Sequence, residues 1–240
     1  MARLFAEHGC HVVINFCRNE SFARAVASDC EQLGVKTLLC SADVSEDADC
    51  RTLVDQTLKQ FGRIDILVNN AGTTQFYDHA DLEGLDKQNF LDLYVINTVG
   101  PFQMTRAAET ALRANGSGQI INMASIDGLA GIGSSIAYAA SKGALVTMTR
   151  SLARVMGPEV RVNAVCPGFV QGDWLKKGLG EEKHHALLAK TKGAAPLNDA
   201  ASPETVADAC LGLIIGGDLT TGETILIDGG SYLGLSPIRR

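Results

Sequence analysis

The sequence predicts an α/β fold built on a doubly wound parallel sheet, and three observations predict it. Short runs rich in Val and Ile alternate with longer helical patterns along the chain. These runs are apolar almost throughout, as strands covered on both faces must be, instead of alternating apolar with polar. Several helical stretches stop at a glycine, Gly34, Gly62, Gly116 and Gly157, the residue that closes a helix at least steric cost.

Taken in order, strands are expected at 11–16, 37–42, 64–69, 118–123, 161–166 and 224–228, and helices at 21–33, 47–61, 87–114, 137–156 and 203–215. A polar, mixed-charge stretch at 173–196, which holds the single Trp, breaks the rhythm. An insertion of that kind after a strand is expected to be a substrate lid. With 46% apolar residues among 240, the chain has core material for one domain spanning 1–240, the lid being an insertion within it.

Charge and cysteine usage exclude several functions. The net charge of −6 is spread over mixed-sign stretches, with no Lys/Arg stripe to follow a phosphate backbone, so no nucleic-acid partner is expected. No apolar run approaches the roughly 20 residues of a membrane span, and residues 1–10 read as an amphipathic helix end and not a signal peptide. A cytoplasmic protein is expected. Cys10, Cys17, Cys30, Cys40, Cys50, Cys166 and Cys210 are odd in number and contain no Cys-x-x-Cys pair, which reads as free thiols in a reducing compartment. His184 and His185 are adjacent and would point about 100° apart on a helix, so no metal site is expected.

The chemistry sits in the middle of the chain. Tyr138 and Lys142 are four apart in a helical stretch, which places a cation beside a phenol on one face. A phenol of ordinary pKa near 10 is a poor acid–base catalyst at neutral pH, and a nearby ammonium favours its ionised form. Spacing alone is equally met by an exposed helix carrying an aromatic and a lysine. Ser125 adds to it, because it follows the strand at 118–123, at the carboxyl edge where open α/β sheets bind ligands.

With Asn-Met-Ala-Ser at 122–125 and Tyr-Ala-Ala-Ser-Lys at 138–142 stand Asn-Asn-Ala-Gly at 69–72, Cys-Pro-Gly at 166–168 and Asp-Gly-Gly at 228–230. In this order and at these intervals the chain resembles the short-chain dehydrogenase/reductase family over essentially its whole length, which implies a Rossmann-like sheet. The resemblance makes Tyr138 the acid of carbonyl reduction or base of alcohol oxidation, with Ser125 orienting the substrate oxygen. Lys142 would lower the Tyr138 pKa and hold the nicotinamide ribose, and Asn97 would position a water beside the lysine. Alone, Asn97 would read as a helix-interior amide bonding its own backbone. Asn70, Ala71 and Gly72 would border the adenine ribose, or simply turn the chain after a strand. Asp43 and Val44 would receive the adenine edge, although an Asp there also suits a helix N-cap. Pro167, Gly168 and Val170 would pass under the nicotinamide, but Gln171 and Gly172 follow where the family often has Thr or Ser. Phe16 takes the place where NAD users usually carry Asp, and Arg18 follows, so NADP(H) is favoured over NAD(H).

The implied substrate is a small-molecule ketone, aldehyde or secondary alcohol. Similarity to 3-oxoacyl-carrier-protein reductases adds 3-oxoacyl thioesters, with sugars and steroids open. The small residues Ala140, Gly143 and Ala144 permit close helix packing, and the family assembles as homodimers or homotetramers. Residues 2–9 read as the end of a helix, and the resemblance places Met1 shortly after the glycine-rich phosphate loop, so the first strand and that loop, roughly twenty residues, are expected to be absent from this chain. The strand at 11–16 would then face an empty slot, the chain alone would be inactive, and Met1 would be an internal methionine of a longer polypeptide. The competing reading is a non-catalytic scaffold or partner subunit unable to bind the cofactor pyrophosphate. A serine hydrolase is disfavoured, because there is no Gly-x-Ser-x-Gly elbow.

Overall fold

The alternation of strand and helix is realised in chain order. The computed structural model describes residues 1–234, apart from the side chains of Asp173 and Lys177; residues 235–240 of the expected domain lie outside the described residues. Helix α1 (Ala2–Glu7) leads into β1 (Val12–Phe16), α2 (Glu20–Gln32), β2 (Thr37–Ser41), α3 (Asp47–Phe61) and β3 (Ile66–Asn69). Next come α4 (Lys87–Tyr94), a π-helical turn at Val95–Val99, α5 (Gly100–Ala114), β4 (Gly118–Met123), α6 (Asp127–Ala130) and α7 (Ile136–Met156). The chain continues through β5 (Val160–Pro167), α8 (Asp173–Leu179), α9 (Glu181–Ala194), α10 (Pro203–Gly216) and β6 (Thr224–Ile227).

Local chemistry accounts for the helix ends that matter. α3 carries Asp47 and Asp49 in its first turn, against the positive end of its dipole, and stops at Gly62 with φ 74°. The Ser135 side chain accepts from the Tyr138 N–H, which fixes the start of α7 and so the place of Tyr138 in its first turn. Ser202 and Thr205 form a reciprocal cap at α10, with Pro203 in its first turn.

Every strand pairing is parallel, and the described strands form two sheets, β1–β2 and β3–β4–β5–β6. β1 hydrogen-bonds β2 alone, in the register Asn15 to Cys40, while Val68 pairs with Ile121 and Cys166 with Leu226 in the larger sheet. One core nevertheless joins both: Val13, Leu38 and Cys40 pack with Leu67, Ile120 and Val162 under α3, α5 and α7. On the opposite face Ile121, Met123 and Val165 pack against Phe5 of α1 and Val206 and Cys210 of α10. Ile120 and Ile121 thus go to opposite helical layers, as the two-residue period of a strand requires.

Two expectations need correction. The helix expected at 87–114 is interrupted, because Val95–Val99 adopts a π turn that turns Asn97 toward other elements. Gly157 does follow α7, but in extended backbone (φ −70°, ψ 156°) and not the left-handed conformation of Gly34, Gly62 and Gly116. Pro158 is the reason, since a residue preceding proline is pushed out of helical conformations.

Candidate active site

The carboxyl ends of β3, β4 and β5 open onto a cavity of about 1260 Å³. β4 delivers the loop that carries Ser125, and α7 crosses behind it with Tyr138 and Lys142 one turn apart. All three side chains are buried and line the cavity, so the structure brings together what the sequence placed apart. The Lys142 ammonium donates to the Met123 carbonyl at 2.7 Å and stands 5.9 Å from the centre of the Tyr138 ring. The Ser125 hydroxyl oxygen accepts the Asp127 N–H at 3.1 Å.

The electrostatics of this cluster are governed by burial. Desolvation pushes the Tyr138 phenol well above its ordinary value and the Asp127 carboxylate adds to that, while a hydrogen bond from Ser125 pulls the other way. Burial also draws the Lys142 ammonium down to about 8. The net shift of Tyr138 is thus upward, and the Lys142 ammonium is spent on the Met123 carbonyl and not on the phenol. Asp127 itself, partly buried beside the cavity, is pushed by desolvation up to about 6, against the Ser125 hydrogen bond and the nearby His79.

Asn97 ties the loop after β3 to α7. Its side-chain oxygen accepts the Thr73 N–H at 2.9 Å, and its NH₂ donates to the Thr73 carbonyl at 2.9 Å and the Ser141 hydroxyl at 3.0 Å. These bonds leave its own helix, so it is not an amide serving its own backbone. Gly72 is where this bracing matters: a Cβ there would stand 3.4 Å from the Asn97 Oδ1 and 3.5 Å from the Lys142 Nζ. The bare glycine leaves open a space bordered by an acceptor and a cation, with Asn70 and Ala71 on the same wall. That cradle suits the vicinal hydroxyls of a ribose.

Pro167, Gly168 and Val170 form the facing wall. A Cβ at Gly168 would meet that of Asp228 at 2.9 Å, and Val170 bridges to Ala201. Gln171 spends its amide on the Ala200 carbonyl at 3.0 Å. Arg18, Asp43 and Val44 do not line this cavity; they gather at the carboxyl ends of β1 and β2, where Asp43 feels the Arg18 charge. The Asp43 carboxylate accepts from the Ser45 N–H and hydroxyl at 2.9 and 2.7 Å, which holds its pKa down, and the Val44 carbonyl accepts from Gln103 at 2.8 Å. Of the stretch at 173–196, Trp174 and Leu175 of α8 and Leu187 and Thr191 of α9 reach the cavity. α8 comes close because Gly178 has no side chain: a Cβ there would lie 2.1 Å from the Phe76 ring. Gly143, expected to serve packing between chains, is used within this one, against Gly128 of α6.

Sequence reasoning missed Asp127, Ile126, Ile132, Phe76 and Phe169, all of which line the cavity. The signal available for Asp127 was its position two residues after Ser125; the apolar residues carried none.

A parallel α/β sheet whose carboxyl edge gathers Ser, Tyr and Lys beside a sugar-sized cradle defines a nucleotide-dependent oxidoreductase. Comparison with known proteins agrees. Residues 1–232 match the family described as enoyl-(acyl carrier protein) reductase. Over 97% of this chain and 90% of the relative, it is 38% identical to a protein assigned as ketoacyl reductase 2 of the granaticin polyketide synthase of Streptomyces violaceoruber. It is 34% identical to an L-fucose dehydrogenase of Bos taurus, over 98% of this chain and 84% of that one. A crystal structure assigned as a short-chain dehydrogenase/reductase from Burkholderia xenovorans superposes with a TM-score of 0.89 at 38% identity, covering 97% of this chain and 92% of its own. The chain belongs to the short-chain dehydrogenase/reductase family of oxidoreductases.

Proposed function

We propose that this protein reduces a ketone or aldehyde, or oxidises the matching secondary alcohol, with NADP(H) as its cofactor. The observation that carries the reading is the convergence of Ser125, Tyr138 and Lys142 on one wall of the cavity, beside the cradle at Gly72. When bound, the cofactor supplies or accepts the hydride. Tyr138 moves the proton at the substrate oxygen, and Ser125 orients that oxygen from the loop after β4. Lys142 holds the ribose hydroxyls, and Asn97 keeps the loop at Gly72 in place through Thr73. Asn70, Ala71, Pro167, Gly168 and Val170 shape the walls around the cofactor.

Arg18, exposed after β1, supports NADP(H) over NAD(H), with Asp43 and Val44 bordering the adenine. The stretch at 173–196 serves as the substrate lid, its apolar residues excluding water from the proton transfer. The assembly is a homodimer or homotetramer. The names of the two relatives, a ketoacyl reductase and an L-fucose dehydrogenase, support a substrate among carbonyls and secondary alcohols.

Calorimetric titration with NADPH and NADH, followed by a screen of ketones for consumption of the reduced cofactor, tests the reading. Tighter binding of NADPH and turnover of at least one ketone are expected. Absence of binding to either nucleotide would overturn it.

A further inference from the structure

Asp127 opens α6 directly after Ser125 and Ile126, and its N–H binds the Ser125 hydroxyl at 3.1 Å, which ties the Asp127 backbone to the side chain of Ser125. A glycine makes room for it: a Cβ at Gly133, where φ is +106°, would lie 2.1 Å from the Asp127 Oδ2. The carboxyl borders the main cavity and also a smaller one of about 370 Å³ that holds His79. Elsewhere Phe76, Ile126, Ile132 and Phe169 make much of the main wall apolar. The groups that favour its charge, Ser125 and His79, do not offset its burial, as its rise to about 6 shows. At neutral pH it is a partly buried carboxylate with acceptor capacity beyond the Ser125 hydroxyl, and it lies close enough to Tyr138 for its charge to act on the phenol.

Resting on the oxidoreductase reading above, the geometry points to Asp127 as the residue that selects the substrate: its carboxylate accepts a hydrogen bond from a hydroxyl on the carbon next to the reacting one, which makes 2-hydroxy ketones and the corresponding vicinal diols the preferred substrate class. A hydroxyl one carbon from the reacting centre falls beside Ser125, where the carboxyl stands. The apolar walls take the rest of the molecule. A carboxylate or phosphate on that carbon is repelled. A 3-oxoacyl thioester has no donor beside its keto group and leaves Asp127 unsatisfied.

The test compares kcat/KM for 2-hydroxyacetophenone and its methyl ether, alike in reactivity but with and without the donor, with NADPH. In the wild type the hydroxy ketone is expected to be preferred by roughly tenfold to a hundredfold, the size of a hydrogen bond to a charged group. The preference should shrink in Asp127→Asn, which keeps an acceptor but no charge, and disappear in Asp127→Val. Equal ratios in wild type and Asp127→Val overturn the proposal. If the wild type reduces neither ketone, the reaction reading fails for such ketones and binding decides: quenching of Trp174, the single Trp and part of the cavity wall, is measured with phenylethanediol and 1-phenylethanol. A diol preference lost in Asp127→Val sustains the assignment without turnover, and equal affinity for the two alcohols in the wild type overturns it.

Discussion

Gly128→Ala should separate the catalytic loop from the catalytic helix. A Cβ at Gly128 would stand 2.5 Å from both the Gly143 N and the Lys142 carbonyl carbon, and 2.9 Å from the Lys142 Cβ. The first two are backbone atoms of α7 and cannot swing aside, so α6 must move. Alanine gains up to about 1 kcal/mol in helix propensity over glycine, but overpacking costs about 1–3 kcal/mol, more where the obstacle is main chain. A net loss of about 2 kcal/mol lowers Tm by about 4–8 °C in a domain of this size. Because α6 follows Ser125 directly and α7 carries Tyr138 and Lys142, a displacement near 1 Å should also cost about a hundredfold in kcat/KM. The companion variant is Gly212→Ala in α10, an exposed helical position with nothing within 4 Å, where the same substitution should leave Tm unchanged or raise it. Scanning calorimetry of both variants, with kinetics on the best ketone, is the assay. A Gly128→Ala protein that melts with the wild type and keeps its kcat/KM would refute the packing argument.

Tyr138→Phe should lower turnover by about 10²–10⁴ while NADPH affinity stays close to wild type, as single-turnover kinetics and calorimetry would show, since the lost group handles a proton and not the cofactor. Lys142→Ala should weaken NADPH binding and turnover together; in the wild type, with the ammonium drawn down to about 8, NADPH affinity should decline as pH rises through that value, and a flat titration would contradict the assignment. Asp127→Asn should be the more stable protein at neutral pH. The folded-state pKa of Asp127 is raised from 3.8 to about 6, so its favourable contribution is complete below about 4 and lost as pH rises through 6, a difference of up to about 3 kcal/mol. The gain in Tm should therefore be visible at pH 7 and vanish near pH 4, and an equal gain at both would show that packing, not charge, is the cause.

Much of the fold was legible because its punctuation is local. α3 begins and ends where its acidic first turn and Gly62 place it, and β4 matches its expected span at both ends. The π turn at Val95–Val99 was not legible: no residue type marks it, and it is held by Asn97 reaching Thr73 and Ser141, which only the folded chain brings near. The extended backbone at Gly157 has its signal in Pro158, which the glycine pattern alone passes over, since the residue before a proline resists helical backbone. Ser125, Tyr138 and Lys142 could be named because their motifs are local. Asp127 offered only its place two residues after Ser125, because its partial burial comes from Gly133, Tyr138 and the cavity wall folding around it.

Burial also bears on the protonation states of the proposed catalytic residues. Tyr138 and Lys142 are 7% and 5% exposed, and desolvation acts on them in opposite senses, keeping the proton on the phenol while drawing the ammonium toward its neutral form. Asp127 reinforces the first effect, since its negative charge beside Tyr138 disfavours a second one. A phenol that keeps its proton is prepared to donate to a carbonyl oxygen. The reverse reaction needs the phenolate, against both burial and Asp127. Under the proposed chemistry the protonated phenol is the form from which carbonyl reduction starts, and the charge of Asp127 beside it helps to keep that proton on Tyr138.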